Sequence, residues 1–233
     1  MRKMRTGLWL ACAACVLLPA SAGMTQAAEI TLTNPGFEDL GGATPPVDGD
    51  GVQSVHGALT GWSVLVGNNA GAHDPSAAQV TGEAHGGTYT AYANDPNYGG
   101  PLAIRQTTAA TWQANTVYTL TAYIARRTDL PPEGSSTGQA EFQLRDADED
   151  NAIITGTYDL SGNGAWNMYS IQITTGESDA CLGHVIAVQF RTVDGTQLLY
   201  DDFSLDATAV PEPMTVSLLV AGGLGMLLRR KRM

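Results

Sequence analysis

Short runs in which apolar and polar residues alternate are the feature that most constrains the fold of this chain. Between 118 and 124, Tyr118, Leu120, Ala122 and Ile124 fall on one face, and the same alternation recurs in 140–145, 169–173 and 186–190. Successive side chains of a strand point to opposite faces, so each run predicts a strand with one buried face. Segments of helical period do not exceed two turns. The pattern predicts an all-β fold, an antiparallel β-sandwich.

Turn-forming residues bound these strands and place further ones. Additional strands fit the segments 30–33, 61–66, 88–93, 102–107, 153–158 and 198–206. About ten strands in two sheets are typical of a jelly roll. Stretches rich in Pro and Gly predict loops at 43–56, 94–101 and 128–137. Because no repeat or linker interrupts residues 29–208, we expect them to form one domain.

The N-terminus predicts export. Arg2, Lys3 and Arg5 precede an apolar run from Leu8 to Leu18, which is followed by small residues. This order is typical of a cleaved secretory signal peptide, here residues 1–28. An uncleaved N-terminal anchor is the alternative, although the run is shorter than the roughly 20 residues that cross a bilayer.

The body between the two ends is strongly acidic. It holds five arginines and no lysine against twenty-two acidic residues, a net charge near −17. Phosphate recognition needs a basic face, so nucleic acid is excluded as a partner. The charge favours solubility outside the cell, and binding of divalent cations is a second interpretation.

Residues 209–233 carry an ending that a soluble domain does not need. Val210-Pro211-Glu212-Pro213 is stiff, and the fifteen residues from Met214 to Leu228 are uncharged. As a helix this run spans about 22 Å, against roughly 30 Å of hydrocarbon, and flanking arginines can snorkel. The basic cluster that follows would stop transfer and stay cytoplasmic; it consists of Arg229, Arg230, Lys231 and Arg232. The tail therefore predicts a single C-terminal transmembrane helix.

This tail resembles the PEP-CTERM sorting signal, and also the C-terminal region of ice-binding proteins. The resemblance rests on Pro211, Glu212 and Pro213, the short Gly-rich apolar helix and the basic end. It implies that a membrane protease, the exosortase, recognises the motif and cleaves near it. The chain would cross the inner membrane, stay anchored there transiently and then reach the cell surface or an exopolysaccharide matrix. A plain C-terminal anchor is the alternative.

The body resembles galactose-binding-like jelly rolls, which include carbohydrate-binding modules and calcium-dependent indole-alkaloid cyclases. The resemblance is carried by "TNPGFEDL" at its start, "LLYDDFSLDA" at its end, and the short motifs Gly61-Trp62-Ser63, Ile104-Arg105-Gln106-Thr107 and Val117-Tyr118-Thr119-Leu120. It implies a structural calcium ion where the first and last strands meet.

The residues at that place suit calcium independently. Alternation in the last strand puts Asp201 on the same face as Leu199 and Phe203. A buried carboxylate must find a partner or lose its charge, and calcium binds carboxylate and carbonyl oxygens. We expect calcium between Glu38 and Asp201, with Asn34 as a further ligand. A hydrogen-bonded or arginine-paired carboxylate is the alternative.

Two other patterns in the sequence bear on metal binding: an acidic run and the histidines. Asp146, Asp148 and Asp150 have the spacing of a calcium loop, but Asn151 stands where that loop needs Gly and Thr157 where it needs Glu. They therefore predict an acidic hairpin turn. The histidines are not paired at the spacing of zinc ligands, so zinc is not expected; they are His56, His73, His85 and His184.

Three aromatic residues are candidates for stacking on sugar rings: Trp112, Tyr98 and Tyr92. Trp112 stands among small polar residues that cannot bury it locally, so a binding platform and a core residue are the two alternatives for its ring. Trp62 and Trp166 begin apolar strands and are expected in the core.

These features favour a secreted, non-enzymatic protein of the cell surface or matrix, with a structural or carbohydrate-binding role. Its partners would be exosortase and an exopolysaccharide or other glycan. The alternative is a small-molecule cyclase-like enzyme on the same calcium-binding jelly roll. A third interpretation is a glycan hydrolase, which would need two facing carboxylates in a groove.

Overall fold

The computed structural model describes eight stretches of the chain: 27–47, 53–57, 59–67, 69–98, 103–130, 137–161, 163–194 and 197–211. Residues 1–26 of the predicted signal peptide lie outside these stretches, as do Glu212, Pro213, the predicted transmembrane helix and the basic cluster. Within the described stretches, no helix is long and apolar enough to cross a membrane.

Twelve strands and one short 3-10 helix make up the described part. The strands are β1 (Ala28–Glu29), β2 (Ser54–His56), β3 (Ser63–Leu65), β4 (Ala70–His73), β5 (Thr90–Asn94), β6 (Ala103–Thr111), β7 (Thr116–Arg126), β8 (Thr137–Asp146), β9 (Asn151–Ser161), β10 (Asn167–Thr174), β11 (Val185–Asp194) and β12 (Gln197–Ala209). The 3-10 helix covers Pro96–Tyr98, between β5 and β6.

Two antiparallel sheets face each other. The seven-stranded sheet has the order β10-β7-β12-β5-β4-β2, with β1 paired to β12 at Ala28↔Ala207. The five-stranded sheet has the order β3-β6-β11-β8-β9. Hydrogen-bonded neighbours that are far apart in the chain, such as β12 beside β5 and β7, are characteristic of jelly rolls. The predicted all-β antiparallel sandwich is confirmed.

Three local predictions differ from the structure. Strands β2 and β4 were missed; β2 lies inside the predicted loop 43–56, and both are too short for a clear alternation. Segment 30–33 does not form the predicted strand. In place of backbone bonds to a neighbouring strand, the side chain of Gln106 bonds the backbone of Thr33. Its amide accepts from Thr33 N (2.7 Å) and donates to Thr33 O (2.8 Å).

Aromatic rings fill the centre of the sandwich. Phe37, from the loop after β1, lies 5.5 Å from Trp62 and 6.0 Å from Phe203 between ring centroids. Phe190 on β11 lies 5.0 Å from Phe203 on β12, so this cluster joins the two sheets. Edge-to-face and tilted contacts of this kind add to the hydrophobic stabilisation of the buried area. The cluster also anchors the loop that carries Glu38.

The ring of Trp112 is completely buried, so the core alternative is correct and the residue is not a sugar-stacking platform. It packs edge-on against Tyr118 at 4.7 Å, and its backbone is held by the turn before β11. Trp112 N donates to His184 O, and Gly183 N donates to Trp112 O, both at 2.9 Å. Its chain neighbours are small and polar, but residues distant in sequence cover it. A ring with no exposed face cannot stack on a sugar.

We predict that Trp112→Ala destabilises the fold strongly, because removing a buried ring leaves a cavity that costs about 3–5 kcal/mol. Urea unfolding followed by far-UV circular dichroism measures the loss. The matched control is Met168→Ala, since Met168 is 61% exposed and surface changes stay within about 0.5 kcal/mol. Equal unfolding midpoints for the two variants would contradict the placement of Trp112.

Candidate functional site

A bulge in β12 shapes the site. The pairing of β12 with β7 shifts between Asp201 and Ser204, and Asp202 has a φ of 46°. A bulge breaks the alternation of a strand and redirects its side chains. The side chain of Leu199 therefore lies on the outer face of the seven-stranded sheet, whereas that of Phe203 lies in the core between the sheets. The expectation that Leu199 and Phe203 share one face is wrong for this reason.

Residues 74–88, called here the covering segment, lie over the outer face of the seven-stranded sheet. Val80 from this segment is buried against Tyr92 of β5, Ala125 of β7 and Leu199 of β12, and Trp166 packs at the side. This second, smaller apolar cluster is separate from the core between the sheets. The outer face of the sheet is thus a covered surface rather than an open one.

Hydrogen bonds fasten the covering segment at several points. Trp166 Nε1 donates to Glu83 O at 2.8 Å, and Thr81 N donates to Gly164 O at 2.8 Å. On the other side Thr128 N donates to Gln79 O at 2.9 Å. The segment has no regular structure, so these bonds satisfy its backbone and hold it in one place.

Two histidines lie under or beside this segment in polar contacts. His73 Nε2 is 3.0 Å from Gln79 Oε1, which can only accept, so Nε2 carries the proton and Nδ1 is free to accept from Ser54 Oγ at 3.3 Å. The hydroxyl of Tyr92 is bonded to His56 Nδ1. Tyr92 is only 2% exposed, which leaves its ring little surface for a ligand.

The turn formed by residues 85–89, called here the carboxylate turn, gathers acidic side chains from two other elements. Gly86 N donates to Asp201 Oδ2 at 3.0 Å, and Thr88 N and Tyr89 N both donate to Glu38 Oε1 at 2.9 Å. The sequence predicted that Glu38 approaches Asp201. The third element of this arrangement, the turn itself, was not predicted.

Asp201 is in an unfavourable electrostatic environment for an anion. Its side chain is fully buried, and burial, with smaller contributions from Asp202 and Glu38, raises the pKa of this carboxyl to about 8. The bonds from Gly86 N and Asp202 N oppose the shift but do not cancel it. Carboxyl oxygens are ligands that suit a hard cation such as calcium, and the binding of calcium by Glu38 and Asp201 stays a prediction.

The side chain of Asn34 forms hydrogen bonds with the backbone of its own loop and of Thr60. Its Oδ1 accepts from Asp39 N at 2.9 Å, and its Nδ2 donates to Asp39 O at 2.9 Å and to Thr60 O at 3.3 Å. The amide therefore shapes the loop that carries Glu38, and its role as a calcium ligand stays a prediction.

One group of residues in the described part satisfies the distances of a metal site. Ligand atoms of Asp146, Asp148 and His184 lie within 4.8 Å of one another. The hydrogen bond to Asp146 raises the pKa of His184. For Asp146, bonds from His184 and from the backbone of the turn outweigh burial and lower the pKa. The turn after β8 fits the predicted acidic hairpin, closed by Asp148 N donating to Asp146 Oδ1 at 3.0 Å.

An aromatic group beside the carboxylate turn carries the features of a reactive site. The ring of His85 stacks on Tyr123 at 3.4 Å between centroids, and Trp166 lies 6.1 Å away. His85 Nδ1 lies 2.7 Å from Asp202 Oδ2. These side chains are reachable from solvent, with His85 31% and Asp202 41% exposed. The three rings and the carboxylate are called here the His85 site.

The geometry of the His85 site suits proton transfer next to a flat apolar ligand. Because a carboxylate accepts, His85 Nδ1 carries a proton, and Nε2 is left to exchange one with a bound molecule. Asp202 orients the ring and fixes its tautomer, the usual function of a carboxylate behind a histidine. Tyr123 and Trp166 provide π faces that attract apolar rings and developing positive charge.

The sequence interpretation missed this site. One signal was present for Tyr123: it has opposite parity to Tyr118, Leu120, Ala122 and Ile124, and so places a large aromatic ring on the outer face of β7. No signal in the sequence joins it to His85, Trp166 and Asp202. Of the predicted stacking residues, Trp112 and Tyr92 are buried elsewhere, and Tyr98 ends the 3-10 helix.

The fold and this site define the class of protein: an antiparallel jelly roll with an acid/base and aromatic site on its outer face. Comparison with known proteins narrows the class. The sequence profile of the HpiC1-like family, described as HpiC1 cyclase, matches residues 28–206. The chain belongs to the HpiC1-like cyclase family.

Two solved cyclase structures support the fold. The Stig cyclase Fisc from Fischerella sp. TAU, in complex with (3Z)-3-(1-methyl-2-pyrrolidinylidene)-3H-indole, has a TM-score of 0.62 at 16% identity, covering 80% of this chain and 100% of that one. A cyclase from Fischerella sp. TAU in complex with 4-(1H-Indol-3-yl)butan-2-one has a TM-score of 0.60 at 18% identity, covering 79% and 99%. The CBM22-1 xylan-binding domain from Paenibacillus barcinonensis Xyn10C has a TM-score of 0.42 at 14% identity, covering 72% and 100%. Among curated proteins none matches.

These findings correct the functional expectation. The sequence interpretation favoured a non-enzymatic protein with a structural or carbohydrate-binding role. That expectation is wrong, because the profile that matches nearly the whole body is that of a cyclase family, which indicates an enzyme.

We predict that the stability of the metal-free protein falls as pH rises from about 4 to about 8. The unfolded chain releases the proton of Asp201 near pH 4, whereas the folded protein keeps it up to about pH 8. Between these values the folded state binds more protons, so its stability must decrease with pH.

Thermal melts across this range, in chelator, measure the effect. Asp201→Asn should flatten the decrease, because an amide does not ionise. Added calcium should raise the midpoint of the wild type, most clearly near pH 8, and should not raise that of Asp201→Asn. A wild-type midpoint that is the same in chelator and in calcium would exclude the calcium site.

Proposed function

We propose that this protein is an exported enzyme that cyclises a small molecule at the His85 site. Membership of the HpiC1-like cyclase family supports an enzyme of this kind. The observation that carries the assignment to this site is the contact between His85 and Asp202, 2.7 Å apart, beside two aromatic rings. It joins an acid/base group to an apolar platform on a surface that a ligand can reach.

The proposed reaction needs only proton transfer at the site. A cyclisation forms one bond within a single molecule, so the product is an isomer of the substrate. If a proton is added at one atom and another is removed elsewhere, atoms and charge balance without a co-reactant. His85 Nε2 can give the first proton and take up the second, and Asp202 keeps the imidazole oriented throughout.

The aromatic rings would control the shape of the substrate. Bringing the two reacting ends together in one bound conformation replaces a large entropic cost in solution. Positive charge that develops during ring closure is stabilised by the π faces of Tyr123 and Trp166. The described Fischerella cyclases hold indole-bearing molecules. For this chain we accordingly propose a substrate with a planar aromatic ring.

Calcium would have a structural role and would not take part in the reaction. Bound by Glu38 and Asp201, the ion would neutralise carboxylates that the turn now holds with backbone N–H groups alone. Its contribution would be to stabilise the positions of these residues.

We predict that the protein binds 4-(1H-indol-3-yl)butan-2-one and that Trp166→Ala weakens binding by tenfold or more, because a stacked aromatic contact is lost. Isothermal titration measures the affinity. Turnover is tested with unsaturated compounds that carry an indole, in calcium, by searching for a product of unchanged mass and changed chromatographic retention. His85→Gln should bind the probe yet lose turnover, because glutamine cannot exchange a proton.

The control for these variants is His184→Gln. His184 lies by the turn after β8, where it contacts Asp146, so its loss should leave both binding and turnover unchanged. Full turnover by His85→Gln would refute the role of His85. Failure of the wild type to bind any indole-bearing compound would refute the proposed substrate class.

We also propose that the enzyme is exported and processed at its tail. Support comes from the N-terminal order of basic, apolar and small residues and from the PEP-CTERM-like ending, whose Pro211 is the last residue that the structure describes. In this proposal exosortase cleaves near Pro211-Glu212-Pro213, after transient anchoring in the inner membrane. The enzyme then works at the cell surface or in the extracellular matrix.

We predict that replacing Pro211, Glu212 and Pro213 by alanines leaves the chain in the inner membrane at full mature length. The replacement removes the stiff motif but keeps the apolar run and basic cluster that anchor the chain. Membrane fractionation and immunoblotting in a strain that carries exosortase measure the outcome. Release as efficient as that of the wild type would show that the motif is not a sorting signal.

A further inference from the structure

The loop between β9 and β10 contains the single Asn-Gly pair of the chain, Asn163-Gly164. Asn163 is exposed, whereas Gly164 is buried. Because glycine has no Cβ, no side chain on the following residue hinders the approach of its backbone nitrogen to the Asn163 amide. A reaction between two neighbouring groups held in the right geometry also avoids most of the entropic cost of a bimolecular one.

A hydrogen bond holds Asn163 in a geometry that favours this reaction. Ala165 N donates to Asn163 Oδ1 at 3.1 Å, and this bond closes a ring of atoms that contains both Asn163 Cγ and Gly164 N. A donor aimed at the amide oxygen stabilises the negative charge that develops there when a nucleophile attacks Cγ. Among the hydrogen bonds of the described residues, none engages Gly164 N or Asn163 Nδ2. The nucleophile and the leaving group are therefore both available.

The reaction that this geometry favours is deamidation through a succinimide. Gly164 N gives its proton to water and attacks Asn163 Cγ, and the bond from Cγ to Nδ2 breaks. Nδ2 takes a proton from water and leaves as ammonia. Water then opens the succinimide ring at either carbonyl and produces aspartate or isoaspartate at position 163. Water is the only reactant consumed, and no group is oxidised or reduced.

Isoaspartate would insert an extra backbone atom where the chain has little room. A Cβ at Gly164 would lie 2.9 Å from Thr128 Cγ2 and 3.3 Å from Val80 Cα, so neighbouring atoms already enclose this residue. Gly164 O also accepts from Thr81 N at 2.8 Å, which is one of the bonds that fasten the covering segment. A longer backbone before Gly164 must displace this carbonyl and weaken the attachment of the segment.

We propose that Asn163 is a self-modifying site: in the folded protein it converts to aspartate and isoaspartate, and the isoaspartate form loosens the covering segment. The reaction needs no partner protein and does not depend on the function proposed above. It gives the protein a covalent change that accumulates with age at a place fixed by the fold.

Mass spectrometry of aged protein tests the modification. The full chain, in detergent, is kept in mildly alkaline buffer, and samples are digested at intervals. Peptides that contain Asn163 should gain the mass difference between OH and NH₂, and electron-transfer fragmentation should show isoaspartate at position 163. Asn163→Gln should stay unmodified there, because glutamine must close a larger and less favourable ring. An intact Asn163 in fully aged wild type would overturn the proposal.

Asn167 is an internal control in the same digests. It is exposed at the start of β10 but is followed by the larger Met168, and its Nδ2 donates to Ala165 O at 3.1 Å. It should stay intact while Asn163 is converted.

The contribution of the fold is measured by ageing a second sample in guanidinium chloride. Conversion of Asn163 should be several times faster in the folded protein, because unfolding removes the bond from Ala165 N. A rate in the unfolded chain that equals or exceeds the folded rate would refute a site created by the fold.

Hydrogen exchange, followed by mass spectrometry, tests the consequence. Residues 74–88 should exchange faster in aged than in fresh wild type, and aged Asn163→Gln should match the fresh protein. Fresh Asn163→Asp carries the new carboxylate without the extra backbone atom, so it should exchange like fresh wild type. Converted wild type that exchanges like the fresh protein would show that the covering segment is not loosened.

Discussion

The buried carboxyl group of Asp201, bonded to the backbone N–H of Gly86, is the interaction on which the rest of the site depends. A carboxyl without solvent exposure is stable only if it is protonated, bonded or paired with a cation. In this protein two N–H bonds oppose burial and the nearby charges of Asp202 and Glu38, and the pKa still rises to about 8. An environment that disfavours the ionised form of Asp201 therefore lies next to the candidate reactive histidine.

Packing in the core of the sandwich keeps Asp201 in this buried position. Phe37 and Phe203, packed in the aromatic centre, fix the loop before Glu38 and the strand after Asp202. Asp202 itself has a left-handed backbone at the bulge, a conformation that costs energy for a residue other than Gly and is often found at functional sites. The packed core therefore holds the strained backbone in place, and the covering segment lies over it.

Much of the fold was predictable from particular residues. Alternation around Tyr118, Leu120 and Ile124 identified β7 and its buried face, and Pro- and Gly-rich stretches marked loops. The approach of Glu38 to Asp201 was also expected from the two ends of the body. The choice between platform and core for Trp112 could not be made from its sequence neighbours, because its burial comes from Tyr118 and from the turn before β11. The face expected for Asp201 relative to Phe203 was wrong, because a bulge changes parity without a recognisable sequence signal.

Taken alone, the sequence determined the all-β class, the acidic lysine-free body and the positions of most strands. These follow from the period of the side chains, from composition and from turn-forming residues, all of which are local. Only the tertiary structure decided that His85, Tyr123, Trp166 and Asp202 form one site. They come from the covering segment, β7, the residue before β10, and β12, and no pattern within one segment relates them. Strand pairing and the path of an irregular segment bring them together, and both depend on packing across the whole domain.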